Sequence, residues 1–243
     1  MSDSDNDVSN KHPLILLPGL LNDERLWTAQ RAALADRAEI HVPDLTRYES
    51  IEAMAEVVLE EAPERFALAG LSMGGYVALA IMRQAPERVT GLALIDTSAA
   101  PDSAEGRQAR RGMIEKAQQD FDGVIDTLIG KLLHETRQQD LAFTATVRAM
   151  AHAVGIEGFR CQQQAIMDRA DSRSTLASIR CPTAVICGRE DGITPPEDHQ
   201  RMVEALSDAE FTVIERCGHL APLEQPERVN EALLAWWARL PGQ

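Results

Sequence analysis

Basic charge is scarce in this chain. Its 243 residues carry 24 Lys and Arg against 38 Asp and Glu, a formal net charge of −14. Nucleic acid and anionic membrane surfaces are excluded as natural partners of so anionic a chain. Cysteine is scarce too. Cys161, Cys181, Cys187 and Cys217 show no C-x-x-C spacing, which reads as buried free thiols rather than a disulfide framework or a metal site. No apolar run approaches a membrane span, and Met1 to Asn10 has neither the basic nor the apolar region of a secretory signal. Residues 1–10 are expected to be a disordered tail, and the cytoplasm is the default location. Phosphate-binding glycine loops and metal-ligand spacings are absent, so no metal, flavin, nicotinamide or nucleotide cofactor is expected.

What remains is an ordinary globular composition, 44% hydrophobic and 26% charged, in a length that suits one large α/β domain with insertions. Leu14 to Leu17 reads as a strand buried on both faces, ended by Pro18-Gly19. Asn22 can cap a helix from Asp23 to Leu34, Glu39 to Val42 is a short strand, and Ser50 caps a helix to Glu61. Phe66 to Ala69 is a strand, Ser72 to Gln84 a helix, and Val89 to Ile95 a buried strand closing at Asp96. This alternation implies a mostly parallel sheet with right-handed crossovers and helices on both faces.

The rhythm breaks between Pro101 and Ser178, where only helical patterns occur. They cover Ala104 to Gln119, an apolar stripe from Phe121 to Leu133, Gln139 to Ala153, and Glu157 to Arg169. A helical insert between two strands of one sheet is expected to form a cap over the strands' carboxyl ends. The chain then divides into an α/β core, 11–100 and 179–243, and a helical cap, 101–178. Met113, Phe121, Phe143, Met150 and Phe159 read first as cap core and second as pocket lining. Sheet patterning resumes with a strand at Thr183 to Cys187, a helix at Pro196 to Leu206 and a strand at Glu210 to Ile214. A last helix covers Pro226 to Leu240.

Gly70-Leu71-Ser72-Met73-Gly74 fits the nucleophile-elbow pattern, a strand-to-helix turn so tight that the serine hydroxyl projects alone. The flanking glycines avoid Cβ collisions with the turning backbone. Alone the pattern is weak: with Gly and Ser at 7% each, chance supplies it in about one chain of this length in twelve. A serine nucleophile needs a base, and the base an orienting carboxylate. Candidates belong in strand-end loops, because ligands bind outside the carboxyl ends of parallel strands. Two loops qualify: Gly188 to Pro195, which holds Asp191, and Cys217 to Leu220, which holds His219. The order Ser72, Asp191, His219 is the one this architecture uses. Met73 N–H, at a helix N-terminus, is a candidate oxyanion donor. Asp96 is the reserve acid, and Glu190 is expected to point away from His219.

Through these loops, with Leu16-Leu17-Pro18-Gly19-Leu20-Leu21-Asn22 and Pro86-Glu87-Arg88-Val89, the chain from Leu14 to Leu240 resembles the α/β-hydrolase superfamily. It is similar to the cap-bearing serine esterase branch, and within it to the pimeloyl-acyl-carrier-protein methyl ester esterases. The resemblance implies Ser72 as nucleophile, His219 as base and then acid, Asp191 as orienter, and Leu20 N–H as the second oxyanion donor. Two departures stand out. Pro18-Gly19 replaces the family's His-Gly, so the oxyanion loop needs different support. Asp44 to Ser50 replaces a glycine-rich loop, which alters the pocket mouth.

The expected activity is cofactor-free hydrolysis of a carboxylic ester with a small to medium acyl group, through an acyl-enzyme. The substrate is a small-molecule ester, free or carrier-linked. Thioesterases, lactonases, C–C-bond hydrolases and perhydrolases use the same triad, and a ligand-sensing protein that keeps the fold is the rival from another class. Oligomeric state is not legible. The basic insert residues Arg107, Arg110, Arg111, Lys116, Arg148 and Arg160 read either as a docking face for an acidic partner or as a solvated mixed face. Arg169 and Asp171 are expected to pair and close the insert onto the sheet. His12, His41, His134, His152 and His199 are read as structural or solvated, the last in a surface helix.

Overall fold

The computed structural model describes residues 11–242, so the expectation for residues 1–10 falls outside the described part. Six strands form one sheet: β1 (His12–Leu17), β2 (Ala38–His41), β3 (Phe66–Leu71), β4 (Val89–Ile95), β5 (Thr183–Gly188) and β6 (Ala209–Ile214). Their order is β2-β1-β3-β4-β5-β6, and every pairing is parallel. β3, β4 and β5 bury every residue, whereas the edge strands β2 and β6 are partly open. That gradient explains why central strands read as unbroken apolar runs.

Neighbouring strand residues feed opposite cores, because side chains alternate across a sheet. Leu14 and Leu16 join a core with α1 (Thr28–Leu34) and α11 (Pro226–Trp237), the latter contributing Val229, Leu233 and Trp236. Ile15 and Leu17 join the opposite core with α2 (Ile51–Glu61), α3 (Met73–Gln84) and α9 (Pro196–Ala205). Between β4 and β5 lie α4 (Ala104–Ala117), α5 (Phe121–Leu132), α6 (Glu135–Gln138), α7 (Leu141–Asp168) and α8 (Arg173–Leu176). α7 breaks at Gly155, with φ 72° and ψ 175°, the division expected between Ala153 and Glu157. A four-residue α10 (Ala221–Glu224) follows His219. The short α6, α8 and α10 carry too few turns to show periodicity in sequence.

Ser50 caps α2 as expected, its hydroxyl accepting from Ala53 N–H at 3.2 Å. The first helix begins differently. Asp23, not Asn22, is the cap; its carboxylate accepts from Arg25 N–H at 3.0 Å and opens a 3₁₀ turn, Glu24–Trp27, ahead of α1. A carboxylate one residue later in the chain is the better acceptor for the positive helix end. Asn22 is left buried, 3% exposed, beside the cavity described below.

The elbow is packed to its limit. A Cβ on Gly74 would overlap the Leu17 carbonyl, and one on Gly70 the backbone of Gly74. Gly74→Ala is expected to cost about 1–3 kcal/mol through overpacking, read as a lower thermal unfolding midpoint by circular dichroism.

Candidate active site

β3 delivers Ser72 to the sheet's carboxyl edge and α3 leaves at once from Met73. Ser72 takes φ 53° and ψ −112°, a region costly for a residue with a Cβ. Neighbouring groups hold it there. Ser72 N–H donates to Ile95 O at 2.9 Å, and Thr97 Oγ1 donates to Ser72 O at 2.7 Å.

Three side chains from three strand-end loops meet at this turn. Ser72 Oγ lies 2.8 Å from His219 Nε2, and His219 Nδ1 lies 2.7 Å from Asp191 Oδ2. Asp191 is further held by Ile193 N–H at 2.8 Å and Thr194 N–H at 3.0 Å on Oδ1, and by Thr194 Oγ1 at 2.7 Å on Oδ2. Burial works to raise the Asp191 carboxyl, but His219 and Thr194 outweigh it and hold the group below the usual carboxylate value. His219 and Asp191 are both 2% exposed. Leu20 N–H has no hydrogen-bond partner among the described residues, and Met73 opens α3, where backbone N–H groups lack helical partners. The structure brings Ser72, His219 and Asp191 together.

Several buried polar residues hold these loops, and sequence reading did not find most of them. Gln162 on α7, wholly buried, accepts from Leu21 N–H at 3.0 Å. It braces the loop in which Pro18 replaces the family's histidine. Glu224 at the end of α10 accepts from Gly218 N–H at 3.1 Å, Leu220 N–H at 3.2 Å and His134 N–H at 2.8 Å. With His219 N–H donating to Leu132 O at 2.6 Å, the histidine loop is tied to the insert. Asp96, the reserve acid, does not reach His219. It instead accepts from Gly188 N–H at 2.9 Å and Ala221 N–H at 3.0 Å, clipping the two loops that carry Asp191 and His219. Burial, then the nearby Asp191 charge, pushes Asp96 well above the usual carboxylate value. Glu190 turns away as expected, accepting from Cys217 N–H at 2.9 Å.

Other expectations need correction. His199 is structural but not on a surface: it is wholly buried, and its Nε2 accepts from Thr97 N–H at 2.9 Å. Burial keeps its pKa below the ordinary histidine value. Arg169 and Asp171 do not pair. Asp171 pairs with Arg173 at 2.5 Å, while Arg169 pairs with Asp102 at 3.0 Å and stacks over Tyr76 at 4.4 Å. Adjacent loop residues reach each other more cheaply than Asp171 could reach into the buried Tyr76 contact. Among the basic insert residues, Arg110, Arg148 and Arg160 pair with Asp102, Asp126 and Glu49. Burial raises the Cys187 and Cys217 thiols, so neither rivals the serine.

A cavity of about 180 Å³ opens at Ser72 and His219, walled by Leu20, Leu71, Met113, Leu128 and Ile166. Met113 is thus pocket lining, whereas Met150 and Phe159 are 0% exposed core.

A family profile described as Alpha/beta hydrolase family matches residues 14–232. The chain belongs to that family. As an alpha/beta hydrolase it is 27% identical over 238 residues to a pimeloyl-[acyl-carrier protein] methyl ester esterase of Pectobacterium carotovorum, covering 92% of this chain and 93% of that protein. It is 32% identical over 184 residues, 70% of this chain and 62% of the other, to a 2-hydroxy-6-oxononadienedioate/2-hydroxy-6-oxononatrienedioate hydrolase of Paraburkholderia phymatum. Among solved structures it is similar to a malate-bound thermophilic esterase from Thermogutta terrifontis, with TM-score 0.85, 33% identity, and 93% and 89% of the two chains covered. These relationships place the alpha/beta hydrolase among the carboxylic ester hydrolases. No helix of the described residues is long and apolar enough to cross a membrane.

Two outcomes follow from the buried acids. Glu224→Gln turns an amide NH2 toward an N–H donor and is expected to lower kcat by roughly 10- to 100-fold through a displaced histidine loop, measured by steady-state ester hydrolysis. Asp96 has a raised folded-state pKa, so its contribution to stability is present at low pH and lost as pH rises through that value. Asp96→Asn therefore gains on wild type as pH rises from about 4 to 8, measured as the difference in unfolding free energy in denaturant.

Proposed function

We propose that this hydrolase cleaves a carboxylic ester of a small to medium acyl group through a Ser72 acyl-enzyme. The carrying observation is the unbroken chain Ser72 Oγ to His219 Nε2 at 2.8 Å and His219 Nδ1 to Asp191 Oδ2 at 2.7 Å, opening on a walled cavity. Ser72 attacks the ester carbonyl as its proton passes to His219 Nε2. Asp191 accepts from His219 Nδ1–H and so fixes the tautomer that leaves Nε2 free to act as base. The oxyanion forms against Leu20 N–H and Met73 N–H, the latter at the positive end of α3. His219 then gives its proton to the leaving alcohol, takes one from the water that attacks the acyl-enzyme carbonyl, and returns that proton to Ser72 Oγ as the bond to the acid breaks.

The helical insert acts as a cap in this reading, since α4, α5 and α7 supply cavity walls through Met113, Leu128 and Ile166. A carrier-linked ester is the second substrate reading; the esterase relatives act on an acyl-carrier-protein ester by name. Against a large basic docking face, half of the six basic insert residues already pair with carboxylates.

Wild type is expected to hydrolyse p-nitrophenyl esters with a rate maximum at short to medium acyl length. Ser72→Ala is expected to lose at least roughly 10³-fold in kcat, as removal of a triad member does. Equal activity of the two proteins, or inertness of wild type across all acyl lengths, overturns the reading.

A further inference from the structure

The cavity at Ser72 differs in charge from the chain around it. In a protein of net charge −14, its lining includes Arg110 and Lys131 and no carboxylate. Lys131, on the last turn of α5, makes no hydrogen bond or ion pair among the described residues. Arg110, on α4, spends part of its guanidinium internally. Its Nε donates to Asp102 Oδ2 at 2.9 Å and its Nη1 to Gln163 Oε1 at 2.8 Å. Nη2 has no partner among the described residues.

Asp102 does not balance this charge, because it also serves Arg169 at 3.0 Å. The three side chains are only 17%, 9% and 8% exposed for Arg110, Asp102 and Arg169. Two guanidiniums therefore share one carboxylate, and neither has another ionic partner among the described residues. A mostly buried guanidinium with only a shared counter-charge is unfavourable in the free protein. An anion entering the cavity would supply the missing charge and accept a charge-assisted hydrogen bond in a sheltered site. The other walls are mainly apolar, with Leu20, Leu71, Met113, Leu128 and Ile166 beside the polar Asn22 and Tyr76, so the fitting ligand has a short hydrocarbon segment between its reacting carbonyl and its anionic end.

Resting on the serine-hydrolase reading above, we propose that the substrate is a half-ester of a short dicarboxylic acid, whose free carboxylate is read by Arg110. The acyl part stays on Ser72 through acylation and deacylation, so a contact to its far end acts in both steps. Lys131 at the rim adds attraction that salt screens. Arg110 is a specificity residue here, and Ser72, His219 and Asp191 do the chemistry.

The test compares isosteric pairs that differ only in charge: the monomethyl esters of succinate, glutarate and adipate against the corresponding methyl esters ending in a carboxamide. Hydrolysis is followed by pH-stat, and the readout is the ratio of kcat/KM for anionic over neutral ester, which a change in the folded fraction does not move. Wild type is expected to show a ratio of roughly tenfold or more at one chain length, the scale of one charged hydrogen bond. Arg110→Gln is expected to bring the ratio near unity, and Arg110→Lys to keep part of it. Raised salt and Lys131→Gln each lower it by a smaller factor. A wild-type ratio near unity at every length overturns the proposal, as does a ratio that survives Arg110→Gln. Titration calorimetry separates this from the hydrolytic reading. Ser72→Ala is expected to bind monomethyl glutarate more tightly than its carboxamide counterpart, and Ser72→Ala/Arg110→Gln to bind both alike. If neither these esters nor the p-nitrophenyl esters are turned over but this binding preference is present, the serine-hydrolase reading fails and the anion site stands. Equal binding of both esters by Ser72→Ala overturns the anion site.

Discussion

Ser72 sits at φ 53° and ψ −112°, and a residue with a Cβ stays there only while its surroundings hold it. Such a conformation costs about 1–3 kcal/mol, and the sheet supplies the restraint. Ile95 O and Thr97 Oγ1 from the neighbouring strand end fix the Ser72 amide and carbonyl. Gly70 and Gly74 allow α3 to leave against β1 with no Cβ between backbones. Because α3 starts at Met73, the hydroxyl, the helix's positive end and an unpaired N–H all face one point.

Strain of the same kind recurs around that point. Among the described residues, Leu21, Asp96 and Arg216 are the other non-glycine residues with positive φ, at 58°, 44° and 54°. Leu21 follows β1, Asp96 follows β4 and Arg216 follows β6, so all lie in loops at the sheet's carboxyl edge. The helical insert then holds two of these loops from above, through Gln162 on Leu21 N–H and through Leu132 and His134 on the histidine loop. Insert and core are thus mechanically joined at the site itself, and a change at Glu224 reaches His219 through its carboxylate on the flanking Gly218 and Leu220 N–H groups.

Much of the fold was legible because buried parallel strands leave continuous apolar runs and helices leave a 3.6-residue stripe. Leu14 to Leu17, Val89 to Ile95 and the amphipathic α5 are of this kind. Ser72, Asp191 and His219 were legible for a different reason: each sits in the turn or loop that follows a strand, where apolar patterning has no use for it. What escaped was polar and internal. Gln162, Glu224 and His199 occupy helices, where a buried carboxamide, carboxylate or imidazole looks the same as a solvated one. The true partner of Arg169 escaped as well, since Asp102 lies far from it in the chain and only the tertiary fold brings the two together.

The sequence by itself determined the alternation of strands and helices, the helical insert, the elbow and the order of acid and histidine. All of these follow from local sterics and periodicity. Only the tertiary structure decided which buried acids clip loops together and which insert residues wall the cavity. It also left Arg110 with half a counter-charge. Those outcomes depend on contacts between segments far apart in the chain, as Asp96 and Ala221 are at 125 residues, and no local pattern encodes them. Burial sets their energetic weight, because a polar group without water must find its partner in the protein or in the ligand.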